Sequence, residues 1–212
     1  MKKLIYGLVV TVFFLAHGVA EISLAQGRSI EAMEMKKSAG TETFKVYTEK
    51  WSRDNHYCAS GWMGDYGDIE INEGFITDVH SGKTCLKITY KARRSQGAGW
   101  IGVYWQNPAN NWGDQMGGYD LTGYKKLTFW ARGQKGGEVI SKFNMGGISG
   151  MYSDSDSSEI GPVTLTKGWK EYSIDLEGLD LSYISGGFGF SISSMNNPDG
   201  VIFYLDDIEY KK

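Results

Sequence analysis

The stretch Lys126-Leu127-Thr128-Phe129-Trp130-Ala131-Arg132 (KLTFWAR) alternates as a half-buried β-strand does. Leu127, Phe129 and Ala131 share one face, while Lys126, Thr128, Trp130 and Arg132 share the other. That second face places a large aromatic among polar and charged groups, where packing alone would not put it. Outward from this stretch the same pattern recurs: FKVYTE, DIEIN, TCLKITYK and GWIGVYW before it, and EVISKFN, PVTLT, WKEYSIDL, GGFGFSI and VIFYLDDIEY after it. Each run is short, rich in β-branched and aromatic residues, and bounded by Gly, Asn, Asp or Ser. In TCLKITYK, Leu86, Ile88 and Tyr90 alternate with Lys87 and Thr89. GWIGVYW is apolar on both sides, with Trp100 and Tyr104 on one face and Ile101, Val103 and Trp105 on the other. Ten such runs, with no capped helix-length segment and no long internal repeat, predict an all-β antiparallel sandwich or jelly roll over residues 43–212.

The N-terminus has a different character. Lys2 and Lys3 precede an apolar run from Leu4 to Ala16, followed by small-residue cleavage sites after Ala20 and after Ala25. This pattern reads as a secretory signal peptide over residues 1–25. The apolar run is shorter than the roughly 20 residues that span a bilayer, so no membrane insertion is expected once the signal is removed. Residues 26–42 are polar and read as a linker. The localisation expected is secreted, periplasmic or cell-surface. Export puts Cys58 and Cys85 in an oxidising compartment, where a disulfide closing a loop of about 27 residues would stabilise by roughly 3 to 4 kcal/mol. The other reading of the pair is two free thiols. No CxxC or Cys/His cluster is present to hold zinc.

Composition narrows the function. The chain has 212 residues, 22 Lys plus Arg against 25 Asp plus Glu, and a formal charge of −3. With no basic run, it has no electrostatic reason to bind phosphate backbones, so nucleic acid is not an expected partner. Oligomeric state is not legible. Hydrophobic content of 41% supports a real core, and 29 Gly supply the turns among short strands. The 7 Trp and 13 Tyr exceed what such a core requires, and part of that surplus calls for a surface role.

Three pieces in order, GGYDLTGYKKLTFWARG (117–133), GWKEYSIDLEGLDLSYISGGFGF (168–190) and FYLDDIEY (203–210), give the stretch from about Phe44 to Tyr210 a family likeness. It resembles the galactose-binding-like jelly-roll carbohydrate-binding modules of secreted bacterial proteins. The resemblance implies a non-catalytic module that binds a poly- or oligosaccharide. It also implies a structural Ca²⁺ held by an Asp of the Leu-Asp-Asp-Ile segment: Asp206, or Asp207 in its place. Adjacent strand residues point to opposite faces, so only one of the two carboxylates is expected to look inward. Calcium needs six to eight oxygens, and Glu49 or Asp54 near the first strand, together with backbone carbonyls, are the further candidates.

Sugars present apolar C–H faces and a rim of hydroxyls, so a binding surface needs flat aromatics with hydrogen-bonding groups beside them. Trp130, Trp105, Trp112, Trp100 and Tyr104 are the stacking candidates; Arg132, Gln106 and Asn111 are the polar ones. Trp62 and Trp169 are read as core packing, and the acidic segment SDSDSSE (153–159) as a mobile loop. Two other function classes remain beside carbohydrate binding. One is a structural envelope or matrix protein. The other is a jelly-roll polysaccharide lyase or glycosidase, for which His56 with Tyr57, or Tyr104 with Gln106 and Arg132, would have to assemble. Neither mature His, His56 or His80, lies in a recognisable catalytic motif.

Overall fold

The computed structural model describes residues 43–212. The expected signal peptide (1–25) and linker (26–42) lie outside these residues. The fold is an antiparallel sandwich of two main sheets. In the first, β6 (Lys126–Gly133) sits between β11 (Lys170–Asp175) and β13 (Val201–Lys211), and β4 (Cys85–Tyr90) and β3 (Ile69–Phe75) continue beyond β13. β1 (Thr43–Tyr47) pairs with the second half of β13. The facing sheet runs β2 (Cys58–Gly64), β5 (Trp100–Gln106), β12 (Gly186–Ser193), β8 (Lys142–Gly146), β9 (Ser157–Ile160). A two-stranded ribbon joins β7 (Val139–Ile140) to β10 (Val163–Thr164). The described residues contain no helix long and apolar enough to cross a membrane.

The alternation read from KLTFWAR sets the core. Leu127, Phe129 and Ala131 are buried and face inward with Leu86, Ile88 and Tyr90 of β4 and Phe203 and Leu205 of β13. The opposing sheet contributes Ile101, Val103 and Trp105 from β5, Phe188 and Phe190 from β12, and Phe143 from β8. Aromatic pairs lock the layers together: Phe129 meets Phe143 at 4.6 Å and Phe188 at 5.2 Å, and Phe190 meets Phe203 edge to face at 5.2 Å and 88°. Such arrangements stabilise by about 0.5 to 1.5 kcal/mol each beyond the area buried.

Three elements differ from the sequence reading. β2, the Gly- and Ser-containing CASGWMG, is an additional edge strand, bulged between Ala59 and Gly61 where it pairs with β5. EVISKFN divides at Ser141, whose amide leaves the ribbon to bond Ser191 O. The acidic segment is structured: its second half forms β9, and Asp154 accepts the amides of Ile148, Ser185 and Gly186.

The expected disulfide does not form, and Cys58 and Cys85 are free thiols. Cys58 is exposed on β2, while Cys85 is buried on β4 in the other sheet. Because Leu86 points into the core, alternation turns Cys85 to the outer side of its sheet, away from the layer that holds Cys58.

Candidate functional site

With Ile101, Val103 and Trp105 turned inward, β5 presents Trp100, Gly102 and Tyr104 on the outer face of the five-stranded sheet. Two glycines lie beneath the rings here. A Cβ at Gly102 would lie 3.3 Å from the Trp100 ring and 2.7 Å from Met63 Cε; one at Gly189, opposite Tyr104, would lie 3.1 Å from the Tyr104 ring and 3.2 Å from Asn144 Oδ1. Their missing side chains let both rings lie down over the sheet. The result is a trough of about 380 Å³ lined by Trp100, Tyr104, Trp112, Lys142, Asn144 and Ser191, among others. Trp100 and Trp112 each keep 41% of their surface exposed.

Loops position those two rings. Asp65 accepts the amides of Gln96, Ala98 and Gly99, fixing the turn that delivers Trp100. Burial would raise the Asp65 carboxyl, yet these amides hold it below its ordinary range. Trp112 stands on the loop after β5. There the predicted contacts Gln106 and Asn111 prove to be fully buried scaffolding. Gln106 Nε2 donates to Asn111 O at 2.8 Å and its Oε1 accepts from Ser60 Oγ at 2.9 Å. Asn111 Oδ1 accepts the amides of Gly113 and Gln115, and its Nδ2 donates to Gln115 O. Both carboxamides are buried with each polar atom partnered inside the protein, so neither is presented to a ligand. Trp105 is likewise excluded: it is 1% exposed and packs against Phe188 at 5.5 Å.

Tyr104 links strand and loop. Its ring meets Trp112 edge to face, and its hydroxyl donates to Gly146 O at 2.9 Å while accepting a short hydrogen bond from Asn144 Nδ2. Burial pushes the phenol up to about 12, so it remains neutral near pH 7. Lys142, Asn144 and Ser191 were missed by sequence reading. The alternation of EVISKFN around the apolar Phe143 was the signal that could have placed Lys142 and Asn144 on this face.

Trp130 and Arg132 face the opposite way, on the outside of the six-stranded sheet, beneath the segment joining β3 to β4. His80 of that segment stacks on Trp130 at 3.8 Å and 16°. Asp78 pairs with Arg132 at 3.1 Å, and the guanidinium lies 3.7 Å over the Tyr204 ring. Trp130 and Trp105 therefore form no common platform. The two tryptophans read as core also differ from that reading: Trp62 is 41% exposed on edge strand β2, and Trp169 is half-buried, donating to Asp78 O at 3.0 Å.

The calcium donor set does not assemble. In its pairing with β6, β13 is bulged between Asp206 and Glu209, with Asp207 in the left-handed region at φ 46°. This bulge overrides simple alternation and turns both carboxylates onto the same segment. Asp206 Oδ2 accepts the amides of His80 (3.1 Å) and Ser81 (3.3 Å); Asp207 contacts His80 Nδ1 (2.7 Å) and accepts from Ser81 Oγ (3.0 Å). Glu49 accepts the amides of Lys83 and Thr84 and the Thr84 hydroxyl. Asp54 is exposed, 3.7 Å from Lys45 Nζ. Three candidate ligand atoms do converge within 4.8 Å, from His80, Asp206 and Asp207. One of them comes from an imidazole, and neither Glu49 nor Asp54 joins them. Calcium takes six to eight oxygens, more than these side chains supply together.

The pairs an enzyme would use are also separately committed. The His56 ring stacks on Phe44 at 4.0 Å and its Nδ1 contacts Lys45 O, while the buried Tyr57 hydroxyl donates to Ile184 O. A larger hollow, about 590 Å³, opens elsewhere around Lys91, Arg93, Lys135 and residues 196–200. Its one aromatic, Tyr90, is buried, so it offers no face for stacking.

A family model described as carbohydrate binding domain 30 matches residues 48–212. Among solved structures, a crystal structure of a family 30 carbohydrate-binding module is 18% identical with a TM-score of 0.55, covering 82% of this chain and 89% of that one. The family 30 module of a cellulosomal cellulase of Clostridium thermocellum is 17% identical with a TM-score of 0.55, covering 80% of this chain and 97% of that one. At these identities the structural likeness establishes the fold. No curated protein matches the chain. With the family model spanning nearly all of the described sandwich, the chain belongs to the carbohydrate binding domain 30 family, and its jelly roll is a non-catalytic carbohydrate-binding module.

Proposed function

We propose that a poly- or oligosaccharide chain binds along the outer face of the five-stranded sheet, its rings stacking on Trp100 and Trp112 with Tyr104 between them. The observation that carries this reading is the convergence of three aromatic side chains on one trough, two of whose rings lie over Gly102 and Gly189. Trp100 and Tyr104 are four residues apart on β5, or about 13 Å along the strand, so the ligand spans more than one sugar. Ser191 and Lys142 supply hydrogen bonds to hydroxyls, while the buried Asn144 holds Tyr104 in place. We read the N-terminal segment as a signal peptide, a reading under which the module works outside the cytoplasm, where such chains occur.

Titration of the domain with soluble oligosaccharides of increasing length, followed by tryptophan fluorescence and by chromatography of the sugar, tests this reading. A change in fluorescence that strengthens with chain length, with the sugar recovered intact, supports it. Shortened products, or no response to any neutral or acidic oligosaccharide, contradict it.

A further inference from the structure

Lys142 is the one charged residue lining the trough. It reaches that face because its neighbour Phe143 points into the core, and Ser191 and Gly102 continue the same row across β12 and β5. Its ammonium is not free: Lys142 Nζ donates to Glu159 Oε2 at 2.8 Å. Glu159 lies outside the trough lining, on edge strand β9, where it is paired with Asn144 and so projects from the same face. The side chains retain 43% and 61% exposure, and an exposed pair of this kind adds little to folding stability. Its consequence is for what can enter. A lone ammonium beside stacking rings attracts a sugar carboxylate or sulfate. With a carboxylate 2.8 Å away, that attraction is offset, and an incoming anion also meets the repulsion of Glu159. A neutral sugar loses nothing, because the ammonium's remaining N–H groups still offer donors to hydroxyls.

Resting on the trough reading, we infer that Glu159 sets the charge class of the ligand: by neutralising Lys142 it makes the site selective for uncharged polysaccharide over chains bearing carboxylate or sulfate.

Native affinity electrophoresis through hydroxyethyl cellulose and carboxymethyl cellulose, which share a backbone and differ in substituent charge, tests this. The wild type is expected to be retarded by the neutral polymer and only weakly by the acidic one. Glu159→Gln should gain about fivefold in affinity for the acidic polymer and lose that gain in about 0.5 M NaCl, with neutral binding within about twofold of wild type. Glu159→Lys should gain more, and Lys142→Gln combined with Glu159→Gln should gain nothing. Melting temperature checks the fold of each variant. A retarded wild type whose Glu159→Gln shows no gain on the acidic polymer, or a wild type retarded equally by both, overturns the inference alone. A wild type retarded by neither polymer, or a Trp112→Ala variant retarded like wild type by the neutral one, overturns the trough reading and the inference with it.

Discussion

Tyr104 and Trp112 meet edge to face, with 6.2 Å between ring centroids and 83° between planes, although one belongs to β5 and the other to the loop that follows it. The contact is held from behind by the Tyr104 hydroxyl, bonded to Gly146 O and Asn144. Burial pushes this phenol up to about 12, so it does not ionise across the ordinary working range. Sugar binding measured by calorimetry should therefore show no step from Tyr104 between about pH 6 and 10. Tyr104→Phe keeps the ring but loses its hydrogen bonds, costing about 1 kcal/mol of stability while leaving most of the affinity.

Gln106 was expected to touch sugar and instead braces the loop that carries Trp112. Truncating a buried, hydrogen-bonded carboxamide leaves its partners unsatisfied, so Gln106→Ala should destabilise by roughly 1 to 3 kcal/mol. Retention on polysaccharide should fall as well, because the loop loosens. Urea denaturation and gel retention, measured on the same variant, check that both properties change together.

The two cysteines give a count. Cys58 is exposed and should react with a thiol reagent in the native protein. Cys85, buried and with its thiol pushed up to about 12 by burial, should react only after unfolding. Two thiols in denaturant and one in buffer is the expected titration. Reductant should leave the melting temperature unchanged.

Asp206 makes stability depend on pH. Burial first, and the Asp207 carboxylate second, raise its carboxyl to about 7. Since the folded value lies above the unfolded one, near 3.9, the folded state binds the proton more tightly; the associated stability is full below that lower value and is lost as pH rises through about 7. The wild type should therefore lose several degrees of melting temperature relative to Asp206→Asn between about pH 5.5 and 8.

Much of this architecture is legible in the sequence. Period-two alternation in TCLKITYK and KLTFWAR placed the core faces correctly, because a strand with one buried side has little freedom to invert. It also divided GWIGVYW into a Trp100–Tyr104 face and an Ile101–Val103–Trp105 face, which is the division the structure has. What alternation does not reveal is which outer face stays open. Trp130 and Arg132 were on an outer face, as read, but a segment some fifty residues earlier in the chain lies across them, bringing His80 and Asp78. The bulge that turns Asp206 and Asp207 together is equally non-local: it forms where β13 exchanges β4 for β1 as its partner. Gln106 and Asn111 misled for another reason. Side chains that can bond hydroxyls can also bond the backbone of their own loop, and sequence does not say which partner is nearer.

The central claim is that sugar binds on the Trp100–Tyr104–Trp112 face and not on the Trp130 face. Gel retention on a polysaccharide that holds the wild type, compared for Trp112→Ala and Trp130→Ala at matched melting temperature, tests it most directly. The account predicts that Trp112→Ala loses about tenfold or more in affinity, within the range of one lost stacking contact, while Trp130→Ala is retained like the wild type. Retention of Trp112→Ala with loss by Trp130→Ala would contradict it.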